Sequence, residues 1–151
     1  MCSASIYFLL NDKYTNNNYM SHPKIAEFDD RMKKLFDEVD AFIEDRYGTM
    51  YILHPARPLR GETPNPEADG LFNIGAVFTP GYGSELGRGY LIEVYISTLE
   101  KVDEEVRREI YCTVAEKVKE LLPVYFPERQ LTVKSDRNHF KIQGDFSLGE
   151  I

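Results

Sequence analysis

Residues 73–97, "NIGAVFTPGYGSELGRGYLIEVYIS", decide the fold, because the eleven positions 79–89 at their centre hold four of the ten glycines. Glycine this dense marks either a backbone wrapped around a phosphate or a sharp bend. A dinucleotide cradle needs G-x-G-x-x-G where a strand turns into a helix. Here Gly81 and Gly83 are followed by Leu86 where the third glycine would stand, and Gly87 misses by one residue. The next segment, "YLIEVYIS", has strand composition and not a helical period. No Gly-Lys-Ser/Thr follows, which excludes a Walker loop. Tyr82 and Leu86 flank Ser84 where a nucleophile elbow needs glycines. The stretch therefore reads as two antiparallel strands joined by a long, mobile loop.

Two amphipathic helices fall on either side. "SHPKIAEFDDRMKKLFDEVDAFIEDRYG" starts with Pro23 in its first turn and places Ile25, Phe28, Met32, Leu35, Phe36, Val39, Phe42 and Ile43 on one stripe. Gly48 is the expected left-handed stop. The second helix runs from Asp103, its expected cap, to Leu122, with Pro123 ending it. Its stripe is Val106, Ile110, Val114, Val118, Leu121 and Leu122.

Thr49–His54 reads as a short strand, and "LTVKSDRNHFKIQ" as a closing hairpin with Leu131, Val133, Phe140 and Ile142 inward. The expected fold is α+β, a two-layer sandwich in the order α-β-β-β-α-β-β. A mostly antiparallel five-stranded sheet carries two helices on one face. Residues 20–151 form a single domain. Residues 1–19, which include the asparagine-rich "NDKYTNNNY", read as a leader that is disordered or a start-site artefact. A rival reading makes Ser5–Leu10 an extra strand.

At 151 residues the chain is long enough to bury a core without staples. The net charge of −7 and an isoelectric point near 5.0 argue against nucleic acid and anionic membranes. Two cysteines, Cys2 and Cys112, make no disulfide framework and fit a reducing cytoplasm. Cys112 lies mid-helix, where a buried thiol is expected. No H-x-x-H, C-x-x-C or H-E-x-x-H pattern is present, so no metal or cofactor is expected.

Two surfaces are candidates for function. Alternation places Val77, Leu91, Glu93, Tyr95, Thr132, Lys134, His139, Lys141 and Gln143 on the sheet face away from the helices, with Tyr51 beside them. Val77, Leu91, Tyr95 and Tyr51 are more apolar than a solvated face needs, and they suggest a partner or self-association surface. Separately, His54, Arg57 and Arg60 of the proline-rich 54–70 loop would meet Ser84 and Arg88 of the 79–89 loop around a small anion. Glu62, Glu67, Asp69 and Glu85 lie in the same loops and would partly neutralise that pocket, the alternative being surface ion pairs that pin the two loops together. The carboxylates of the helix surfaces, interleaved with Lys and Arg, read as solvated faces.

The element order α-β-β-β-α-β-β in a small acidic chain is similar to the type III secretion chaperone fold. That resemblance implies a dimeric protein-binding module; it covers Ser21–Gln143, lacks the final helix and carries no residue over. The expected function is a non-enzymatic, cytoplasmic protein-binding or self-associating module, a homodimer working through the open sheet face and the two loops. The alternative is an anion-binding enzyme or sensor between the loops.

Overall fold

In a computed structural model, residues 23–144 and 146 are described. The expected leader at 1–19 lies outside them. Helix α1 (Pro23–Tyr47) precedes strands β1 (Phe72–Thr79) and β2 (Gly89–Ile96). Helix α2 (Glu104–Tyr125) then leads to β3 (Leu131–Asp136) and β4 (His139–Gly144). The architecture is α+β, with an antiparallel four-stranded sheet in the order β1-β2-β4-β3.

Both apolar stripes meet one face of the sheet. Leu35, Val39 and Ile43 of α1 pack with Ile110, Val114 and Val118 of α2 over Phe72, Ile74, Ile92 and Ile142. At one end an aromatic cluster extends this core: Phe28 stacks on Phe126 at 4.9 Å, and Tyr90 lies against Phe28, Phe78 and Phe146. The expected stripes hold, except that Ile25 is exposed.

Several local expectations are corrected. Residues 49–54 are not a strand, so the sheet has four strands and the order is α-β-β-α-β-β. One backbone bond, His54 N–H to Ser97 O at 2.8 Å, ties this segment to the end of β2, while Thr98 Oγ1 and Glu100 Oε2 bond Ile52. Side chains replace the ladder there, because Pro55 stops the segment from continuing along β2. The resemblance to the secretion chaperones rested on that missing strand.

Gly48 is not left-handed. Its backbone lies against Glu44, and a Cβ would strike the Glu44 carbonyl oxygen, so glycine is needed for close approach. Pro123 does not end α2 but sits in its last turn, where few intrahelical bonds remain to be lost. Asp103 occupies the cap position without a side-chain cap bond, and the Cys112 thiol is exposed.

The two halves of the sheet join through only Tyr90↔Ile142 and Leu91↔Lys141. Where the next ladder bond would form, the Tyr111 hydroxyl enters from α2. It accepts from Phe140 N–H at 3.0 Å and donates to Ile92 O at 2.5 Å. A phenol thus bridges two strands that have begun to diverge.

Candidate functional site

The outer sheet face is built by alternation. In β2, Tyr90, Ile92, Val94 and Ile96 join the core, which turns Leu91, Glu93 and Tyr95 outward. Val77 stands opposite Leu91, and Leu91 opposite Lys141. Tyr95 is 40% exposed, and Val77 and Leu91 are half-buried. Tyr51 does not share this face; it packs against the core.

The glycine loop folds back onto the same face. Lys141, only 2% exposed, reaches under it. Its ammonium donates to Ser84 Oγ at 2.9 Å and Gly87 O at 3.0 Å, and pairs with Asp136 at 3.1 Å. Ser84 Oγ in turn donates to Asp136 Oδ2 at 2.6 Å. These bonds, Ser84's first, hold the Asp136 carboxyl below the usual carboxylate range. Gln143 donates to Leu86 O on the neighbouring residue pair.

The loop is two successive turns, closed by Ser84 N–H to Gly81 O at 3.0 Å and Gly87 N–H to Ser84 O at 3.4 Å. Gly81, Gly83 and Gly87 all take positive φ. The loop expected to be mobile is therefore pinned at several points, with Tyr82 at its tip 93% exposed.

Ser84 was legible as a candidate; Lys141, Asp136 and Gln143 as its holders were not. Alternation put Lys141 on the outer face and predicted solvent there. Its burial depends on a loop more than fifty residues earlier, and no local pattern carries that. The chemistry of the cluster is that of a lock. Lys141 is paired with a carboxylate, so it is not a free base for Ser84.

The proline-rich loop is fixed elsewhere. The half-buried Arg57 guanidinium donates to the carbonyls of Glu67, Asp69, Gly70 and Phe72 at 2.6–3.0 Å. Burial lowers its pKa. Arg60 pairs with Asp45 of α1 at 2.6 Å. His54 Nδ1 accepts Ala56 N–H at 3.0 Å inside a turn. Arg57 lies at the Phe72 end of β1, and the glycine loop leaves from Thr79. Seven strand steps of ~3.4 Å separate the two ends. Arg57 and Arg60 thus lie against α1, His54 is bonded to Ser97 after β2, and Ser84 and the exposed Arg88 join none of them.

Around Arg57 lies a set of buried carboxylates: Asp40 and Glu44, which the sequence placed on a solvated helix face, and Glu67 and Asp69 of the proline-rich loop. Glu44 accepts Phe72 N–H at 2.7 Å. Asp69 accepts the backbone N–H and hydroxyl of Thr63. Burial, then the nearby Glu44, pushes Asp40 up to about 8, and its Oδ2 has no hydrogen-bond partner among the described residues. No group of metal-ligating side chains is assembled among the described residues.

The comparisons with known proteins fall on this same architecture. A family model described as "Uncharacterised protein" matches residues 23–144, from the first residue of α1 to the last of β4. The chain belongs to that family. A relative from Borreliella burgdorferi (strain ATCC 35210 / DSM 4680 / CIP 102532 / B31), described as "Uncharacterized protein", is 40% identical over 127 residues. That alignment covers 84% of this chain and 99% of the relative. No solved structure matches. No helix among the described residues is long and apolar enough to cross a membrane.

Proposed function

We propose that the chain is a cytoplasmic, non-enzymatic module that binds protein, including its own copy, through the outer sheet face and the glycine loop pinned on it. The observation that carries this reading is the cross-strand pair Val77–Leu91, with Tyr95 further along β2 on the same face beyond Glu93, on the side of the sheet that neither helix covers. Apolar and aromatic groups rimmed by polar ones are the composition of association surfaces. The exposed Tyr82 extends the stripe toward the loop end.

The alternative of an anion-binding enzyme or sensor loses its donors. The four carbonyls on Arg57 and the Asp45 carboxylate on Arg60 occupy the groups that would hold the anion. Light scattering on the wild type and on the Tyr95→Lys and Leu91→Glu variants tests the binding reading. Association weakened by either change supports it; association indifferent to both overturns it. A thermal-shift screen with phosphate, nucleotides and organic acids addresses the alternative, and stabilisation abolished by Arg88→Ala would revive it.

A further inference from the structure

We propose that the 54–70 loop is a strap latched by a proton on Asp40. It lies closed over α1 and the start of β1 while that proton is held, and lets go when the proton leaves. The inference concerns a different part of the molecule from the outer-face reading and does not depend on it. The strap has no helix or strand beyond the short turn Pro66–Ala68, and Pro55, Pro58, Pro64 and Pro66 stiffen it. Gly70 N–H to Pro58 O at 3.0 Å closes its neck. Across it, Arg57 holds the carbonyls of Glu67, Asp69, Gly70 and Phe72. It is fastened to α1 by Lys33 Nζ to Asn65 Oδ1 at 2.7 Å, by Arg60 to Asp45, and by the close approach of Gly70 to Glu44.

Three of the four buried carboxylates of α1 and the strap have donors. Glu44 accepts Phe72 N–H, Asp69 accepts the N–H and hydroxyl of Thr63, and Glu67 accepts the Asn65 amide at 3.1 Å. Asp40 is 2% exposed, and its Oδ2 has no partner among the described residues. The cations near it are committed elsewhere. Arg57 gives four bonds to carbonyl oxygens, Lys33 bonds Asp37 and Asn65, and Arg60 pairs with Asp45. The charges acting around Asp40 are Asp37 and Glu44 from α1 and Arg57, Arg60 and Asp69 from the strap, with Tyr95 of β2 acting on Arg57. An ionised carboxylate buried there without a donor costs more than a bound proton. Burial, then Glu44, accordingly pushes Asp40 up to about 8.

When the proton leaves, the new charge faces Glu44, Asp69 and Asp37 across a dry contact. The helix cannot yield, because its Leu35, Val39 and Ile43 are wholly in the core. The strap can, since its one large apolar side chain, Leu59, is 61% exposed and polar bonds alone hold it down. Release hydrates Asp40, bares the Asp40–Glu44 flank of α1 and frees the Phe72 carbonyl from Arg57. The closed state holds a proton that the open state has lost, so rising pH favours opening. The open fraction grows by up to about tenfold per pH unit below about 8 and levels off above it.

Trypsin tests this on the full chain, because within the strap it cuts only at Arg60–Gly61: Arg57 precedes Pro58, and the strap has no lysine. Digestion of the wild type and of Asp40→Asn, which stays neutral at every pH, removes the protease's own pH profile from the comparison. The ratio of the two rates at Arg60–Gly61 should rise by up to about tenfold per pH unit and level off above about 8, while cleavage after Lys117 in α2 stays slow. A ratio flat with pH overturns the proposal. So does a rise in which Lys117 is cut in step, since the whole fold then opens. Methyl and carboxyl NMR of the wild type reads the same event without a variant. The Thr63 methyl should shift with the midpoint of the Asp40 carboxyl carbon, while the core methyls of Val114 and Val118 stay in place. A Thr63 signal that does not follow Asp40 overturns the latch.

Discussion

Lys141, in the last strand, holds Ser84 of the glycine loop with its ammonium 2.9 Å from the hydroxyl. The pair spans 57 residues of sequence and fastens a turn to the face that would otherwise be bare sheet. The lysine stem is part of the lock: Gly89 lies against it, with a hypothetical Cβ 2.8 Å from Lys141 Cγ.

Lys141→Met keeps that stem and removes all three bonds of the ammonium. The expected outcome is a melting temperature lower by several degrees, with faster amide exchange confined to residues 81–88. Lys134→Met, at the exposed cross-strand neighbour of Lys141, should change neither. Exchange that stays slow in Lys141→Met would show that the turns hold the loop unaided.

Two glycines of this loop separate conformation from contact. Gly83 has φ +78 with nothing near its missing Cβ, so Gly83→Ala should cost only the left-handed penalty, about 1–2 kcal/mol. Gly81 has φ +87, and its Cβ would collide with the backbone of Gly87 at the neck of the loop. Gly81→Ala should therefore destabilise clearly more than Gly83→Ala in denaturant titrations. Equal losses would mean the neck opens freely.

Arg57→Ala leaves four carbonyls without their donor and should cost about 3 kcal/mol, since bonds to charged groups contribute most. Arg60→Ala breaks an exposed pair with Asp45 and should cost less than about 1 kcal/mol. Chemical denaturation of both variants checks the ordering.

Asp40 gives a pH signature. Its ordinary value is 3.8, and burial raises it to about 8 in the fold. Between those values the folded chain holds a proton that the unfolded chain has lost, so stability falls as pH rises through the window. Asp40→Asn removes this dependence. The variant should gain stability relative to wild type from pH 4 upward, by on the order of 1.4 kcal/mol per pH unit inside the window, and level off above about 8. A constant difference at all pH values would mean that Asp40 does not titrate in this range.

Local pattern alone determined the helices, the hairpin of the opening stretch and the apolar core. Three- and four-residue spacing in α1 and α2 and alternation in the strands name Leu35, Val39, Ile110, Val114, Ile74 and Ile92, all of which are buried. The missing strand at 49–54 was beyond that reach, because strand composition does not reveal whether a neighbouring edge is free to pair.

The sites depended on distance in sequence. Asp40 and Glu44 share a turn of α1 with exposed charges, and only the docking of the 54–70 loop decides that they are buried. Lys141 alternates onto a face that the sequence leaves open, and the folding of the glycine loop covers it. Periodicity reports which side of an element a residue takes. What lies on that side is set by segments tens of residues away, and that belongs to the tertiary structure.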